Sequence, residues 1–425
     1  MRAIILATER DFIFDEDRPL ALIKVCGVSL IVRILNSVRT AGIREALIVL
    51  GFKGEEIRKM LKNGEELGLK LLYLQAEERE VPKLKEFLDD DLLIINGDVV
   101  IDMEFVSGII KVEGNVACYL NSESIGVYRL GREYSRLLQD DVVSNLGKIL
   151  EEIEVKILRL DITKMEMEHA ELKRRVSPVC VKINSRNAIE LAKRKLVFRT
   201  QKGLHFTSYI NKPIEDRVTY HIADLTWVTP NRITILTNLL AFAVAVLFLL
   251  GYMKISVVLA YMVGILDGLD GKLARARGIL TRLGYIEHTF DMLYEQAWYV
   301  CFALSLYFLE NSYLPLILGL CMLLVDSFVR HCYMQFKETM GKALTAYTSF
   351  DRTFARVDGR RNVYVLYMIF FSWLPWLGKP LYAMYAMLIH SSLTATVYII
   401  RAVQHMNATD KAEGLKGFLK LVGKP

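Results

Sequence analysis

The sequence predicts two unlike domains: an N-terminal α/β domain built on a parallel sheet, and a C-terminal bundle of six transmembrane helices. Three observations predict this. First, 53% of the 425 residues are hydrophobic although 24% are charged, an average that one ordinary soluble domain does not give. Second, short apolar runs alternate with helical patterns up to about residue 200, as strands and crossover helices do in a parallel sheet covered on both faces. Third, from about residue 232 the apolar runs lengthen to bilayer dimensions.

The strands of the first domain (1–200) are "RAIILA", "EALIVLGF", "LKLLYLQA" and "DLLIING", with helical stretches such as "VSLIVRILNSVRTAG" between them. A juxtamembrane linker (201–229) follows. Within it Ile214, Val218, Ile222 and Leu225 recur at helical spacing among polar residues, which predicts an amphipathic helix lying along the membrane surface. The second domain (230–405) holds six apolar segments, at 232–252, 255–276, 285–309, 312–336, 362–378 and 380–402. A short basic tail (406–425) ends the chain.

Charge orients the spans. Lys272, Arg275, Arg277 and Arg282 follow the second segment, and Lys337, Lys342, Arg352, Arg356, Arg360 and Arg361 follow the fourth. The opposite loops hold little beyond Lys254 and Lys379. The positive-inside rule then makes the basic side cytoplasmic, with both termini inside a multi-pass protein of the plasma membrane. "MRAIILATERD" does not read as a signal peptide, which agrees with a cytoplasmic N-domain. A net charge of +6, without a lysine/arginine arm, predicts no nucleic-acid partner. Six scattered cysteines (26, 118, 180, 301, 321 and 332) imply neither a disulfide framework nor a zinc site.

The chemistry sits where the second segment ends. In "DGLDGKLARARG" Asp267 and Asp270 are three apart and share a helix face. In "GYIEHTFDMLYEQAWY" the acids Glu287, Asp291 and Glu295 recur every four residues, again on one face. Neighbouring antiparallel spans thus turn four or five carboxylates toward each other. So many like charges do not stay ionised together unaided. Divalent ions relieve the repulsion, and an all-oxygen set suits Mg²⁺, Mn²⁺ or Ca²⁺. Gly271 and Ala274 leave room for a ligand, and Arg275 can meet a phosphate. Acids within a span also suit a cation channel or transporter, but a pathway would spread them through the membrane depth, whereas these cluster at one side. A non-catalytic membrane anchor for a regulatory N-domain is the remaining alternative.

These residues resemble the CDP-alcohol phosphotransferase signature, D-x2-D-G-x2-A-R-x8-G-x3-D-x3-D. Asp267, Asp270, Gly271, Ala274, Arg275 and Gly284 match it, and "TPNRIT" (229–234) looks like the family's entry motif. The resemblance implies transfer of a substituted phosphate from a CDP-alcohol donor to a small polar alcohol or phosphate acceptor, with release of CMP, at the bilayer. It also implies a homodimer and two Mg²⁺ or Mn²⁺ ions. Asp267, Asp270, Glu287 and Asp291 would hold metal, with Asp291 also the general base. Gly271, Ala274, Arg275, Gly284, Asn231 and Thr234 would line the nucleotide site together with the first two aspartates. Arg330, Arg360 and Arg361, with His288 and Glu295, are candidates for the acceptor or its phosphate. One feature departs from the signature: its last two aspartates fall on His288 and Met292. A one-residue slip puts Glu287 and Asp291 in their place, the register preferred here; a three-residue slip puts Asp291 and Glu295 there.

The first domain resembles the Rossmann-like sugar-nucleotidyltransferases through "MRAIILA", "RPLALIKVCGVSLIVRILNSVRTAG", "EALIVLGFKGEEI" and "DLLIINGDVVID". Fusion of the two resembles archaeal bifunctional enzymes that make CDP-inositol and then di-myo-inositol phosphate phosphate. Yet the expected glycine-rich phosphate loop is "TERDFIFDEDRP", with five acids and no glycine. Asp98 stands where the family keeps a metal aspartate, Asn184 and Ser185 stand where a second acid belongs, and Lys24 reads as a strand-flanking lysine. The domain is therefore expected to have lost nucleotidyl transfer.

Overall fold

The computed structural model describes residues 1–76, 87–120, 123–135, 158–161, 167–169, 174–202, 205–279, 286–374, 376 and 378–412. The chain divides into two compact units. One comprises Met1–Lys202, Asp216–Thr229 and Gly271–Leu280; the other comprises Gly203–Glu215, Pro230–Asp270 and Thr281–Pro425.

The first unit is built on β1 (Arg2–Ala7), β2 (Glu45–Leu50), β3 (Lys70–Gln75), β4 (Leu92–Asn96), β5 (Val99–Ile101), β6 (Val116–Leu120), β7 (Glu123–Leu130), β8 (Leu158–Asp161) and β9 (Cys180–Lys182). Seven of these strands form one sheet in the order β8-β6-β7-β4-β1-β2-β3, and β9 pairs with β5 beside it. β1 lies parallel to β2 and β4, β2 to β3, and β8 to β6. This is the parallel core the apolar runs predict. β7 is the exception, antiparallel to both β4 and β6. Only residues 121 and 122 separate β6 from β7, and so short a link can join only antiparallel neighbours.

Both sheet faces are covered, which is why its strands read as unbroken apolar runs. Ala3, Ile5 and Ala7 pack on one face with Ile31, Ile34 and Leu35, which belong to helix α1 (Leu30–Thr40). Ile4 packs on the other with Leu47, Val49 and Ile94. Helices α2 (Gly54–Leu61), α3 (Met103–Lys111) and α4 (Arg186–Phe198) complete the unit. Asp102 caps α3, accepting from Phe105 N at 2.7 Å, and Ser185 caps α4, accepting from Ala188 N at 3.2 Å. The sequence's Asn184-Ser185 is thus spent on starting a helix.

Helix α5 (Phe206–Ile222) coincides with much of the predicted linker helix. In its first half Thr207, Asn211 and Glu215 are buried while Phe206, Tyr209, Ile210 and Ile214 are exposed. That is the reverse of a helix on a soluble protein and suits one whose apolar side meets lipid. Among the described residues six longer helices follow: α6 (Pro230–Leu249), α7 (Met253–Arg277), α8 (Glu287–Glu310), α9 (Leu314–Met340), α10 (Arg361–Trp373) and α11 (Leu381–Ala412), with a short helix at Ser349–Phe354 before α10. Among the described residues α6, α9 and α11 are long and apolar enough to cross a bilayer. α7 and α8 carry the acids, and α10 has only 13 residues. The helical core gathers Phe248, Tyr294, Trp298, Tyr299 and Phe302. Leu239, Leu320, Leu324 and Leu393 face outward. Residues 413–425 of the predicted basic tail lie outside the described residues.

Candidate active site

In the helical unit, two helices bring acids together and a third brings a cation. α7 presents Asp267, and one turn later Asp270, which is buried. Asp270 and Asp291 lie within electrostatic reach of Asp267. On α8, Asp291, Tyr294, Glu295, Trp298 and Tyr299 are buried, while Met292 and Leu293 are exposed. The inward face of α8 therefore runs through 291 and 295, one helical turn apart. His288 projects outward with its Nδ1 3.2 Å from Asp291 Oδ2. The side chain of Glu287 and all of Gly284 lie outside the described residues.

Arg361, at the start of α10, joins the two acid-bearing helices. Its Nη2 donates to Asp267 Oδ2 at 2.6 Å, its Nη1 is 3.2 Å from Glu295 Oε1, and Nη1 also donates to the Tyr294 hydroxyl. Glu295 is paired in addition with Arg330, whose Nε donates to Asp326 Oδ2 at 2.8 Å. Hydroxyls orient the other acids as well: Thr234 Oγ1 donates to Asp270 Oδ2 at 2.6 Å, and Tyr294 OH to Asp291 Oδ1 at 3.2 Å. Gly268, between the aspartates, lets the Glu215 carboxylate lie close, since a Cβ there would come within 2.6 Å of its Oε1 and push it aside. Asn231 is exposed at the start of α6. Arg360 forks onto Asp358, with Nη2 2.8 Å from Oδ2. All three arginines considered for a phosphate are thus paired with carboxylates in this structure.

The last turns of α7 belong to the sheet unit. There Lys272 makes a buried ion pair with Asp216, and Arg275 Nε donates to Thr200 O at 2.9 Å. Arg275 lies back over Gly271, where a Cβ would come within 2.9 Å of its Nη1. Ala274 is half-buried beside them. Arg277 is buried, and its guanidinium caps the carbonyls of Ala223, Leu225 and Val228.

Residues 227–397 match the family model described as CDP-alcohol phosphatidyltransferase. The chain carries a CDP-alcohol phosphatidyltransferase domain. It is similar to a "Bifunctional IPC transferase and DIPP synthase" of Aquifex aeolicus, 22% identical over 68% of this chain and 73% of that one. It is also similar to a "CMP-5'-(3-aminopropyl)phosphonate synthase" of Streptomyces rubellomurinus, 30% identical over 24% of this chain and 18% of that one. A solved phosphatidylinositol phosphate synthase of Mycobacterium tuberculosis with CDP-DAG bound aligns at 19% identity and a TM-score of 0.36, over 45% of this chain and 94% of that one.

The match over residues 227–397 implies a CDP-alcohol donor, an alcohol acceptor, membrane association and a divalent metal. The donor set fits that requirement in kind, since Asp267, Asp270 and Asp291 offer only hard carboxylate oxygens. In this arrangement those oxygens are turned to Arg361, Thr234, Tyr294 and His288. Among the described residues no three ligand side chains surround a common point. Sequence reasoning missed Arg361's bridge between α7 and α8, the part of Tyr294, and the Asp326–Arg330 pair behind Glu295. Arg361 reads as one more positive flank of a span, and only the tertiary fold reveals its partners.

The sheet unit holds the residues of the second predicted site. Asp98 follows β4 and is buried. Its Oδ2 is 3.7 Å from Lys182 Nζ, and its Oδ1 has no hydrogen-bond partner among the described residues. Burial pushes its carboxyl up to about 6. The acidic loop is folded on itself: Asp11 is fully buried, accepts from Ile13 N and Phe14 N at 2.9 and 3.0 Å, and pairs with Arg18 at 3.0 Å. Lys24 is exposed on a two-residue strand. All six cysteines are free thiols.

Proposed function

We propose that the helical unit transfers a substituted phosphate from a CDP-alcohol to an acceptor hydroxyl at a carboxylate site formed by Asp267, Asp270 and Asp291. The observation that carries this reading is the meeting of both halves of the signature around Arg361. Asp267 arrives from α7, and Asp291 and Glu295 arrive from α8. The inward face of α8 favours the register in which Asp291 and Glu295 stand for the last two signature acids; Glu287 is the ligand of the other register.

In this reading Asp291 accepts the proton of the acceptor hydroxyl. The freed oxygen forms a bond to the phosphorus carrying the donor alcohol, the bond from that phosphorus to the bridging oxygen breaks, and CMP leaves. A divalent ion, Mg²⁺ or Mn²⁺, supplies charge neutralisation to the diphosphate and to the departing oxygen. Thr234 and Tyr294 fix the orientation of Asp270 and Asp291, and positioning supplies much of the remaining rate. Gly271, Ala274 and Arg275 serve the nucleotide, with Asn231 at the entrance. The reading extends to six spans, a cytoplasmic active site and N-domain in the plasma membrane, and a homodimer.

The sheet unit, in our proposal, no longer transfers nucleotides and serves as a structural or donor-handling platform. Its phosphate loop is closed by Asp11, and its one site aspartate faces a lysine. Measurable pyrophosphate release from CTP and a sugar phosphate would overturn this part. For the substrates, inositol phosphate with CDP-inositol is one pair that fits the signature. Glycerol phosphate, inositol or serine with a lipid-linked CDP donor are the alternatives. A screen of these acceptors against CDP-inositol and CDP-diacylglycerol, reading CMP release, tests the proposal: one pair should turn over with Mg²⁺ or Mn²⁺, and release from none would reject it.

A further inference from the structure

The turn between the short helix Ser349–Phe354 and α10 is held in a way that a surface turn ordinarily is not. Exposed turns leave their carbonyls to water. Here three successive carbonyls are met by protein: Arg356 O by Phe206 N at 2.9 Å, Val357 O by His390 Nε2 at 2.8 Å, and Asp358 O by His205 Nε2 at 3.1 Å. Yet the side chains of Arg356 and Val357 are exposed. We propose that this turn is a clamp that positions Arg361, and that His205, His390, Thr394 and Asp358 are positioning residues acting through it. The inference rests on the proposed reaction, in which the acids of α7 and α8 carry the chemistry.

The donors to the turn are themselves fixed. A carbonyl oxygen only accepts, so both rings donate from Nε2. A hydroxyl then holds each ring at Nδ1: Thr207 Oγ1 at 2.7 Å for His205, and Tyr367 OH at 3.0 Å for His390. His205 is buried in the loop before α5, and His390 stands on α11. Two separate parts of the helical unit thus grip neighbouring peptide groups. α11 adds a second hold, since Thr394 Oγ1 accepts from Gly359 N at 2.8 Å. A Cβ on Gly359 would meet the Tyr364 hydroxyl and come within 3.0 Å of Thr394 Oγ1, so glycine lets the turn lie this close. Asp358 is buried and closes the turn from within: its two oxygens take the Arg360 fork at 2.5 and 2.8 Å, and Tyr398 donates to Oδ2.

What the clamp delivers is the next residue. Arg360 is the extended residue at the entry to α10, and Arg361 is the first residue of that helix. The Arg361 guanidinium reaches Asp267 on α7 and Glu295 on α8. A planar fork that spans two carboxylates tolerates little error in where its backbone starts. Fixing that end removes much of the freedom a long side chain would otherwise keep. A displaced turn would therefore be felt at both acids, although the clamp's histidines bond to the turn. If the clamp served only to stabilise the bundle, its loss would be felt equally whether or not Arg361 is present.

The test is a double-mutant cycle between His390 and Arg361, read as CMP release by the full-length chain in detergent. His390→Leu removes the donor to Val357 O and should lower kcat on the order of 10–100-fold, with the donor KM changed less than about three-fold. His390→Gln, whose amide nitrogen can donate to the same carbonyl, should restore most of the rate. In an Arg361→Lys background His390→Leu should cost less than about two-fold more, because lysine cannot span both acids and the clamp has no fork left to place. Should His390→Leu fail to fold, Thr394→Val, which removes the acceptor of Gly359 N, runs the same cycle. Equal losses with and without Arg361 would show that the clamp only supports the fold, overturning the inference while leaving the proposed reaction intact. Unchanged kcat in both His390→Leu and Thr394→Val would overturn it as well. No CMP release by the wild-type chain would overturn the reaction and the inference together.

Discussion

Asp98 in the sheet unit and Asp267 in the helical unit are both carboxylates set against a cation of the chain, yet their surroundings differ in kind. Asp98 has a lysine at 3.7 Å and, among the described residues, one oxygen without a hydrogen bond. The loop that should hold a phosphate near it is closed around Asp11. Asp267 belongs to a cluster fed from α7 and α8, fixed by Arg361, and continued by Asp270 and Asp291 on neutral hydroxyls. One unit holds a lone site aspartate beside a lysine; the other gathers acids from two helices and orients them with hydroxyls and a guanidinium. In the proposed reading the difference points to the helical unit as the place of the chemistry.

The sharpest way to break that contrast is to remove one acid from each unit. Asp270→Asn should lower CMP release on the order of 100–1,000-fold, the scale of losing a principal electrostatic group. Asp98→Asn should leave release unchanged within about two-fold, the scatter expected of a substitution remote from the site. Comparable losses in both variants, measured by CMP release from the full chain, would erase the distinction.

Stability against pH sharpens it next, because buried groups in the two units titrate with opposite sign. Asp98 is raised to about 6 from 3.8 by burial. Its ionisation therefore costs stability that builds as pH rises from about 4 to 6 and is complete above that, and the cost is absent only below about pH 3, where the group is protonated both folded and unfolded. Asp98→Asn should stabilise the chain by about 2 kcal/mol at pH 7 and leave it unchanged at about pH 3. His205, in the loop before α5, is buried and hydrogen-bonded to Thr207 and Asp358 O. Burial and then Arg360 hold it down to about 4. The unfolded chain takes up its proton near pH 6.5, so the contribution of neutral His205 is complete above that value and lost as pH falls toward 4. Thermal melts of His205→Gln should show a flatter dependence between pH 6.5 and 4, by about 2 kcal/mol.

The smallest effect concerns orientation. Thr234→Val removes the hydroxyl from Asp270 and should lower kcat about ten-fold, with Thr234→Ser restoring most of it. Equal kcat in Thr234→Val would show that Asp270 needs no such support.

Much of this was legible in the sequence, and the illegible parts have physical reasons. Apolar runs such as "RAIILA" gave the parallel strands because both sheet faces are covered. The antiparallel β7 escaped because its cue is the two-residue link at 121–122, not a pattern within the strand. "DGLDGKLARARG" was readable because Asp267 and Asp270 must share a helix face to act together. The partner helix was less so: Glu287, Asp291 and Glu295 all fit one face by spacing. The exposure of Met292 and Leu293 then marks which way α8 is turned. Arg361 shows the limit plainly, since a flanking arginine and an arginine tying two acid helices are the same letter in a sequence.

The most direct measurement of the central claim is divalent-metal-dependent CMP release from a CDP-alcohol by the full-length chain, compared with Asp291→Asn. The expected result is release that requires Mg²⁺ or Mn²⁺ and falls on the order of 100-fold or more in the variant. Full metal-dependent release by Asp291→Asn would contradict the account.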